Sequence, residues 1–170
     1  CLNLSDTTKL VSSFYDRFPF PGEPLLDCKP PGYIWSMCFD AVYSACSGAL
    51  YENLQAKNSP RILDAGCGTG VSTDYLAFLN PDSEILAIDI SEQALSIASE
   101  RLRRSGAFAI SNITFEKVSI LEIGERKPFD FINSIGMLHH LQEPYIGLAE
   151  LAELLKPGGI IHLLLYAEGG

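Results

Sequence analysis

Residues Leu63–Gly70 read LDAGCGTG, an apolar run that breaks into three alternating glycines. The preceding residues, Arg61–Ala65, have strand length, and Val71–Leu79 read as a helix stopped by Asn80-Pro81. A glycine loop that leaves a strand and opens a helix is the setting for nucleotide-like ligands. Gly66, Gly68 and Gly70 carry no Cβ, which admits unusual φ values and lets backbone approach a ligand closely. The order is GxGxG followed by Val71. A dinucleotide fingerprint, GxGxxG, needs glycine at position 71, so that the helix N-terminus can meet a pyrophosphate. The absence of GxxxxGK[ST] excludes a P-loop. Asp89 ends the next apolar run, 19 residues past Gly70, where a carboxylate can accept hydrogen bonds from both ribose hydroxyls of a nucleoside. Asp64, just before the first glycine, is placed to hold the loop or to reach a ligand ammonium through water.

Outward from the loop, strands and helices alternate. Strands are expected at Glu84–Ile90, Asn112–Ser119, Phe129–Ser134 and Ile160–Ala167. Ser91 is a plausible N-cap for a helix that carries Ala94, Leu95, Ile97, Ala98 and Leu102 on one side and ends at Gly106. Pro144–Leu155 reads as a helix closed by the turn KPGG. Apolar runs without strict alternation suit strands buried on both faces. The expected fold is therefore α/β: a Rossmann-like, doubly wound, mostly parallel sheet of five strands. Ligands of such sheets sit at the carboxyl ends of the strands.

Residues 1–59 differ in character from residues 60–170, which suggests an N-terminal segment and a main domain. Thr7–Arg17 reads as a short helix and Ile34–Gln55 as a longer one. Between them Phe18–Pro31, FPFPGEPLLDCKPP, is an extended or turning stretch, because proline blocks helix and central strand. Its aromatic residues must pack on something: a ligand cleft that they cover as a lid, or simply the main domain.

The chain of 170 residues has a net charge of −9, of which −7 follows residue 60. An acidic domain repels phosphate backbones, which disfavours nucleic acid as a partner. Arg101, Arg103 and Arg104 read as a solvated helix face rather than a basic patch. Cys1, Cys28, Cys38, Cys46 and Cys67 form no CxxC pair, so neither a metal site nor a redox dithiol is expected. Reduced thiols, the lack of a secretory peptide and the lack of a membrane-length apolar run fit a cytoplasmic protein. The sequence says nothing of oligomeric state.

With these residues in place, the chain resembles the class I S-adenosylmethionine-dependent methyltransferases. The matching stretches are LDAGCGTG at Leu63–Gly70, ILAIDIS at Ile85–Ser91, FDFINSIGMLHHL at Phe129–Leu141 and LLKPGGIIHLLL at Leu154–Leu165. The resemblance implies S-adenosylmethionine as cofactor and transfer of its methyl group to a small-molecule or protein acceptor. A non-catalytic S-adenosylmethionine-binding module is the alternative. It implies that Asp64, Gly66, Cys67, Gly68 and Gly70 belong to the cofactor site. Gly66, Gly68 and Gly70 would pass under the amino-acid portion and ribose, and Asp89 would hold the ribose hydroxyls. Ile90 would pack on the adenine, with Ser119 and Ile120 also beside it, and Asn133 and Ser134 would end near the methionine moiety. Two departures stand out. Many relatives carry Asp where this chain has Ser119, and the family's sheet usually has two further strands after the fifth. A C-terminally truncated domain is the expectation drawn from the second.

Candidates for the acceptor side are fewer. His139 and His140 could serve as a base, although packing of the loop is the favoured reading for both. Tyr15, Tyr33 and Trp35 are weaker candidates for an acceptor wall, and Cys67 reads as a small packed residue. The fourth strand ends in NSIG rather than [DN]PP[YF], and no Pro-Cys pair occurs. By the same resemblance, enzymes of nucleic-acid amino groups or of a protein glutamine, and of cytosine C5, are disfavoured.

Overall fold

The computed structural model describes residues 4–48 and 59–166. Five strands form one parallel sheet: β1 (Arg61–Ala65), β2 (Glu84–Asp89), β3 (Asn112–Lys117), β4 (Phe129–Ile135) and β5 (Leu155–Leu164), in the order β3-β2-β1-β4-β5. The order reverses beside β1. That is the topological switch point, and it opens a crevice at the carboxyl ends of β1 and β4. Helices α1 (Leu4–Arg17), α2 (Phe39–Ser47), α3 (Val71–Leu79), α4 (Glu92–Ser105) and α5 (Pro144–Glu153) complete the fold.

The apolar runs are continuous because both faces of the sheet are covered. Leu63, Leu86 and Ile132 pack on one face with Leu138 and Leu151. Their neighbours Ile62, Ile85 and Phe131 pack on the other with Leu76 and Leu102. Successive residues of a strand point to opposite faces, so each pair serves two layers. Ile62, Leu63, Phe131 and Ile132 are completely buried, each stabilising the fold by roughly 1.5–3 kcal/mol.

The local stops follow simple chemistry. The Ser91 hydroxyl accepts from the Ala94 amide at 3.1 Å and starts α4, and Gly106, at φ +86°, ends it. The Asn80 side chain accepts from the Phe39 amide at 2.7 Å and donates to the Met37 and Leu76 carbonyls at 2.8 Å, fixing the start of α2 to the end of α3.

Several boundaries differ from expectation. β2 ends at Asp89 and β3 at Lys117. Ser119 turns away and its hydroxyl accepts from the Leu121 amide, opening a 3-10 turn at Ile120–Glu122. The KPGG stretch is no separate turn. β5 starts at Leu155, paired with Phe129, and the next pair is Phe131 with Ile160, so the residues between bulge out of the ladder. The bulge is stabilised by Lys156, which donates to Asp130 at 2.5 Å. The helix expected at Ile34–Gln55 begins as a 3-10 turn at Trp35–Met37 and continues as α2 to Ser47. Its expected end, like Cys1 and Ala167, lies outside the described residues.

Candidate functional site

The glycine loop hangs from the end of β2. The Gly66 and Cys67 amides both donate to the Ile88 carbonyl, at 2.9 and 3.0 Å. The Gly68 amide donates to Asp89 Oδ2 at 2.9 Å, and the Gly70 amide to the Cys67 carbonyl at 2.9 Å. The Thr69 amide donates to the Phe20 carbonyl at 3.2 Å. Every loop amide from Gly66 to Gly70 is thus satisfied within the protein, which leaves no donor nest for a pyrophosphate.

Asp64 lies beneath the loop and is 1% exposed. It accepts from the hydroxyls of Ser72 and Thr73, at 2.8 and 2.6 Å, and from Asn133 Nδ2 at 2.8 Å. The negative charge therefore faces the N-terminal turn of α3. Burial pushes its pKa up, and these three hydrogen bonds oppose that rise. Because Asn133 turns its amide to Asp64, its oxygen must accept from His162 Nδ1, at 2.8 Å. That fixes the proton of the neutral His162 ring on Nδ1. Asp64 and Asn133 are a scaffold that joins β1, β4, β5 and α3.

Above the loop lies a cavity of 780 Å³, within the roughly 300–1,000 Å³ typical of small-molecule sites. Gly66, Cys67, Gly68, Asp89, Ile90, Ser119 and Ile120 line it. Asp64, Gly70, Asn133 and Ser134 do not: they lie behind the wall. Gly70, at φ +81°, is glycine because a Cβ would come within 2.7 Å of Ala98 in α4. Gly66 lacks room for a Cβ because Met137 would stand 2.5 Å away. Cys67 is buried, and burial together with Asp64 and Asp89 drives its thiol well above the ordinary range, so it is no nucleophile at neutral pH.

Asp89 is the charged wall residue. Its two oxygens accept from the Gly68 and Ser91 amides, each at 2.9 Å. A carboxylate offers about four acceptor sites, so capacity remains toward the cavity. Burial raises its pKa against these hydrogen bonds. No Lys or Arg lines the cavity among the described residues. A partly desolvated carboxylate in a mainly apolar, aromatic chamber suits a cationic nucleoside with free hydroxyls and disfavours a phosphorylated one.

The roof comes from the N-terminal segment. Phe14, Tyr15, Phe18, Phe20 and Pro21 line the cavity from above. A Cβ on Gly68 would run into the Phe20 carbonyl oxygen, so this glycine makes room for the roof's backbone. Thr69 doubles the contact, its hydroxyl donating to the Pro21 carbonyl at 2.6 Å. The principal clamp is Arg101. It donates to the Thr69, Pro24 and Glu23 carbonyls at 2.9, 2.9 and 2.8 Å. Arg104 pairs with Asp27 at 2.6 Å, and Tyr75 donates to the Pro31 carbonyl at 2.6 Å. On α1, Asp16 accepts from the Ser91 hydroxyl at 2.7 Å.

Arg101 corrects the sequence reading of a solvated arginine face: it is 5% exposed. The signal was present, since residue 101 falls three and seven positions after the buried Ala98 and Ala94, on the same helical face. Only Arg103, paired with Glu100 at 2.7 Å, lies open to solvent as expected. Tyr15, His139 and His140 line the cavity, whereas Tyr33 and Trp35 are exposed and outside it. Tyr166, which no sequence signal marked, lines it too. Among the described residues no cluster of His, Cys, Asp or Glu is arranged for a metal, and no helix is long and apolar enough to cross a membrane.

A parallel sheet with its crevice at the switch point, a glycine loop without phosphate donors and a single acidic residue among the described residues of the cavity wall define the class: a doubly wound α/β domain with an acidic-walled cavity. Residues 63–161, more than half of the chain, match the family described as methyltransferase domain, and the chain belongs to that family. It is 50% identical over 164 residues to an uncharacterised protein of Synechococcus sp., covering 96% of this chain and 38% of that protein. It is 32% identical over 105 residues to a ubiquinone biosynthesis O-methyltransferase of Dechloromonas aromatica, covering 61% of this chain and 43% of that enzyme. The chain therefore spans less than half the length of these two relatives. The N-methyltransferase NodS from Bradyrhizobium japonicum, solved with S-adenosylhomocysteine, superposes with a TM-score of 0.55. That match has 24% identity and covers 73% of this chain and 57% of NodS, and it reports the shared fold.

Proposed function

We propose that this domain binds S-adenosylmethionine and directs its methyl group to a small-molecule or protein acceptor. Asp89 carries the reading: a desolvated carboxylate at the end of β2, held by the Gly68 and Ser91 amides, with acceptor capacity left for two ribose hydroxyls. The cofactor's positive charge matches a cavity whose fixed charge is acidic, and the loop's satisfied amides argue against a nicotinamide dinucleotide. Membership of the methyltransferase-domain family and the S-adenosylhomocysteine bound by NodS support the same assignment.

When bound, the cofactor supplies an activated methyl group on a sulfonium. The protein's part is to bind, orient and exclude water. In this reading Asp89 holds the ribose, and Ile90, Ser119 and Ile120 flank the adenine. The Ser119 hydroxyl accepts locally from Leu121, so its own proton is free to donate to an adenine ring nitrogen. Gly66, Cys67 and Gly68 form the floor under the amino-acid portion. Asp64, Gly70, Asn133 and Ser134 act behind the wall by holding the loop, α4 and β4 in place. Residues 60–170 supply the cofactor-binding domain, and residues 1–59 supply its cover. The described cysteines, Cys28, Cys38, Cys46 and Cys67, are free thiols, which supports a cytoplasmic setting.

Calorimetric titration with S-adenosylhomocysteine tests the assignment. Saturable binding that Asp89→Ala weakens supports it. Binding of NADH with no affinity for S-adenosylhomocysteine replaces it with a dehydrogenase reading.

A further inference from the structure

One part of the cavity wall is an aromatic group, Tyr15, His139, His140 and Tyr166, beside Met137. The polar atoms there are organised. The Tyr15 hydroxyl and His140 Nε2 are 2.8 Å apart, joining α1 to the 3-10 turn Leu138–His140. The rings form a frame: Tyr15 meets His140 edge-on at 5.5 Å, His139 meets Tyr166 edge-on at 5.0 Å, and the two histidine rings are 4.1 Å apart. Tyr15 lines the same cavity as Asp89, whose negative charge adds to burial in raising the Tyr15 pKa.

We propose that this aromatic part of the wall is the acceptor subsite, that it takes a planar aromatic compound bearing a hydroxyl, and that Tyr15 and His140 together receive the hydroxyl's proton. The proposal rests on the methyl-transfer reading. The chemistry of the walls selects the ligand class. An amine acceptor bound as an ammonium needs a carboxylate, and Asp89 is the only carboxylate on the cavity wall among the described residues. A carboxylate acceptor needs a cation, and the wall has no Lys or Arg there. A neutral hydroxyl on a flat ring needs aromatic surroundings and a coupled donor and acceptor, which this part of the wall provides.

The direction of proton movement follows from the surroundings of the pair. Burial, then Asp89, then Tyr166 raise the Tyr15 pKa, so its phenol stays protonated and donates. Partial burial, then His139, lower the His140 pKa, so its ring stays neutral, and in the tautomer with the proton on Nδ1 its Nε2 accepts from Tyr15. Tyr15 is half-buried and meets the acceptor, while His140 is exposed and can release a proton to water. In the transfer step a lone pair of the acceptor oxygen forms the bond to the methyl carbon. The methyl–sulfur bond breaks, and its electron pair stays on sulfur and cancels the positive charge. The acceptor's proton moves to Tyr15 Oη as the Tyr15 proton moves to His140 Nε2. The imidazolium then returns the proton to solvent, and both residues are restored.

The test uses 4-nitrocatechol, whose phenolate absorbs visible light, with the purified 170-residue chain and no cofactor. His140→Gln keeps a hydrogen-bond acceptor for Tyr15 but removes the basic nitrogen. Below the probe's own pKa, the wild-type protein is expected to bind it in ionised form. At saturating probe, His140→Gln is expected to leave the bound probe protonated. Equal ionisation by both proteins overturns the proton-receiving role. Failure of the wild type to bind the probe, while it still binds S-adenosylhomocysteine, overturns the subsite but not the cofactor assignment. Failure to bind S-adenosylhomocysteine overturns the methyl-transfer reading and with it this proposal.

Discussion

Arg101→Met isolates the tether between roof and glycine loop. Methionine keeps an apolar stem of similar length, so packing within α4 changes little while the guanidinium is lost. Two of the three lost hydrogen bonds, to the Glu23 and Pro24 carbonyls, hold the roof. The third, to the Thr69 carbonyl, braces the loop. At about 1 kcal/mol net per bond, roof docking weakens by about 2 kcal/mol. Since 1.4 kcal/mol is about a factor of ten, that is roughly a thirtyfold rise in the detached population. Hydrogen exchange reads this directly. The Thr69 amide donates to the Phe20 carbonyl, so it exchanges when the roof detaches. The Gly68 amide next to it donates to Asp89 within the main domain and serves as an internal control. The expected outcome is about thirtyfold faster exchange at Thr69 with little change at Gly68. Unchanged exchange at Thr69, or equal acceleration at both amides, refutes the clamp.

Gly68→Val places a Cβ against the Phe20 carbonyl at a residue with φ +52°, so the roof must lift and the backbone strain. Destabilisation of about 1–3 kcal/mol and loss of S-adenosylhomocysteine binding are expected; urea unfolding and calorimetry check them, and a stable variant with wild-type affinity contradicts the geometry. Asp89→Ala should weaken S-adenosylhomocysteine binding by about 1–3 kcal/mol, read by the same titration, and unchanged affinity would mean that Asp89 does not hold the ligand. Because burial raises the Asp89 pKa, its charge is lost on acidification at a higher pH than an ordinary aspartate near 3.9. Affinity should therefore begin to fall above that value, and a fall confined to lower pH counts against the assignment. For stability the sign is opposite. A raised carboxyl pKa contributes stability that is fully present below the unfolded value and is lost as pH rises through the folded one. Asp89→Asn should thus gain on wild type in urea unfolding as pH rises from below the ordinary aspartate value of about 3.9 through the raised folded one; a constant difference from acid to neutral pH refutes the shift.

The central sheet was legible because its strands are buried on both faces: Ile62–Leu63 and Phe131–Ile132 leave no alternative to a two-layer core. The start of α4 was legible because Ser91 caps it with its own side chain; the approach of Gly70 to Ala98 was not. Less legible was anything that depends on contacts distant in sequence. Nothing near Arg101 announces Glu23 and Pro24, 78 and 77 residues away, as its partners. Gly68 reads as a ligand-facing glycine, and nothing in the sequence adds that the Phe20 carbonyl also closes on it. Asp64 reads equally as ligand or scaffold, and only Ser72, Thr73 and Asn133 together decide for scaffold. The KPGG stretch looks like a terminator because glycine and proline usually end elements, yet β4 pairs on either side of it. Tyr15 and His140 lie 125 residues apart, so their hydrogen bond has no local signature at all.

The most direct test of the cofactor pocket is isothermal titration of the chain with S-adenosylhomocysteine, with Asp89→Ala in parallel. One-to-one binding, weakened about 5- to 150-fold by the substitution, is the predicted result. No heat of binding to a folded wild-type protein, or equal affinity in both proteins, would contradict it.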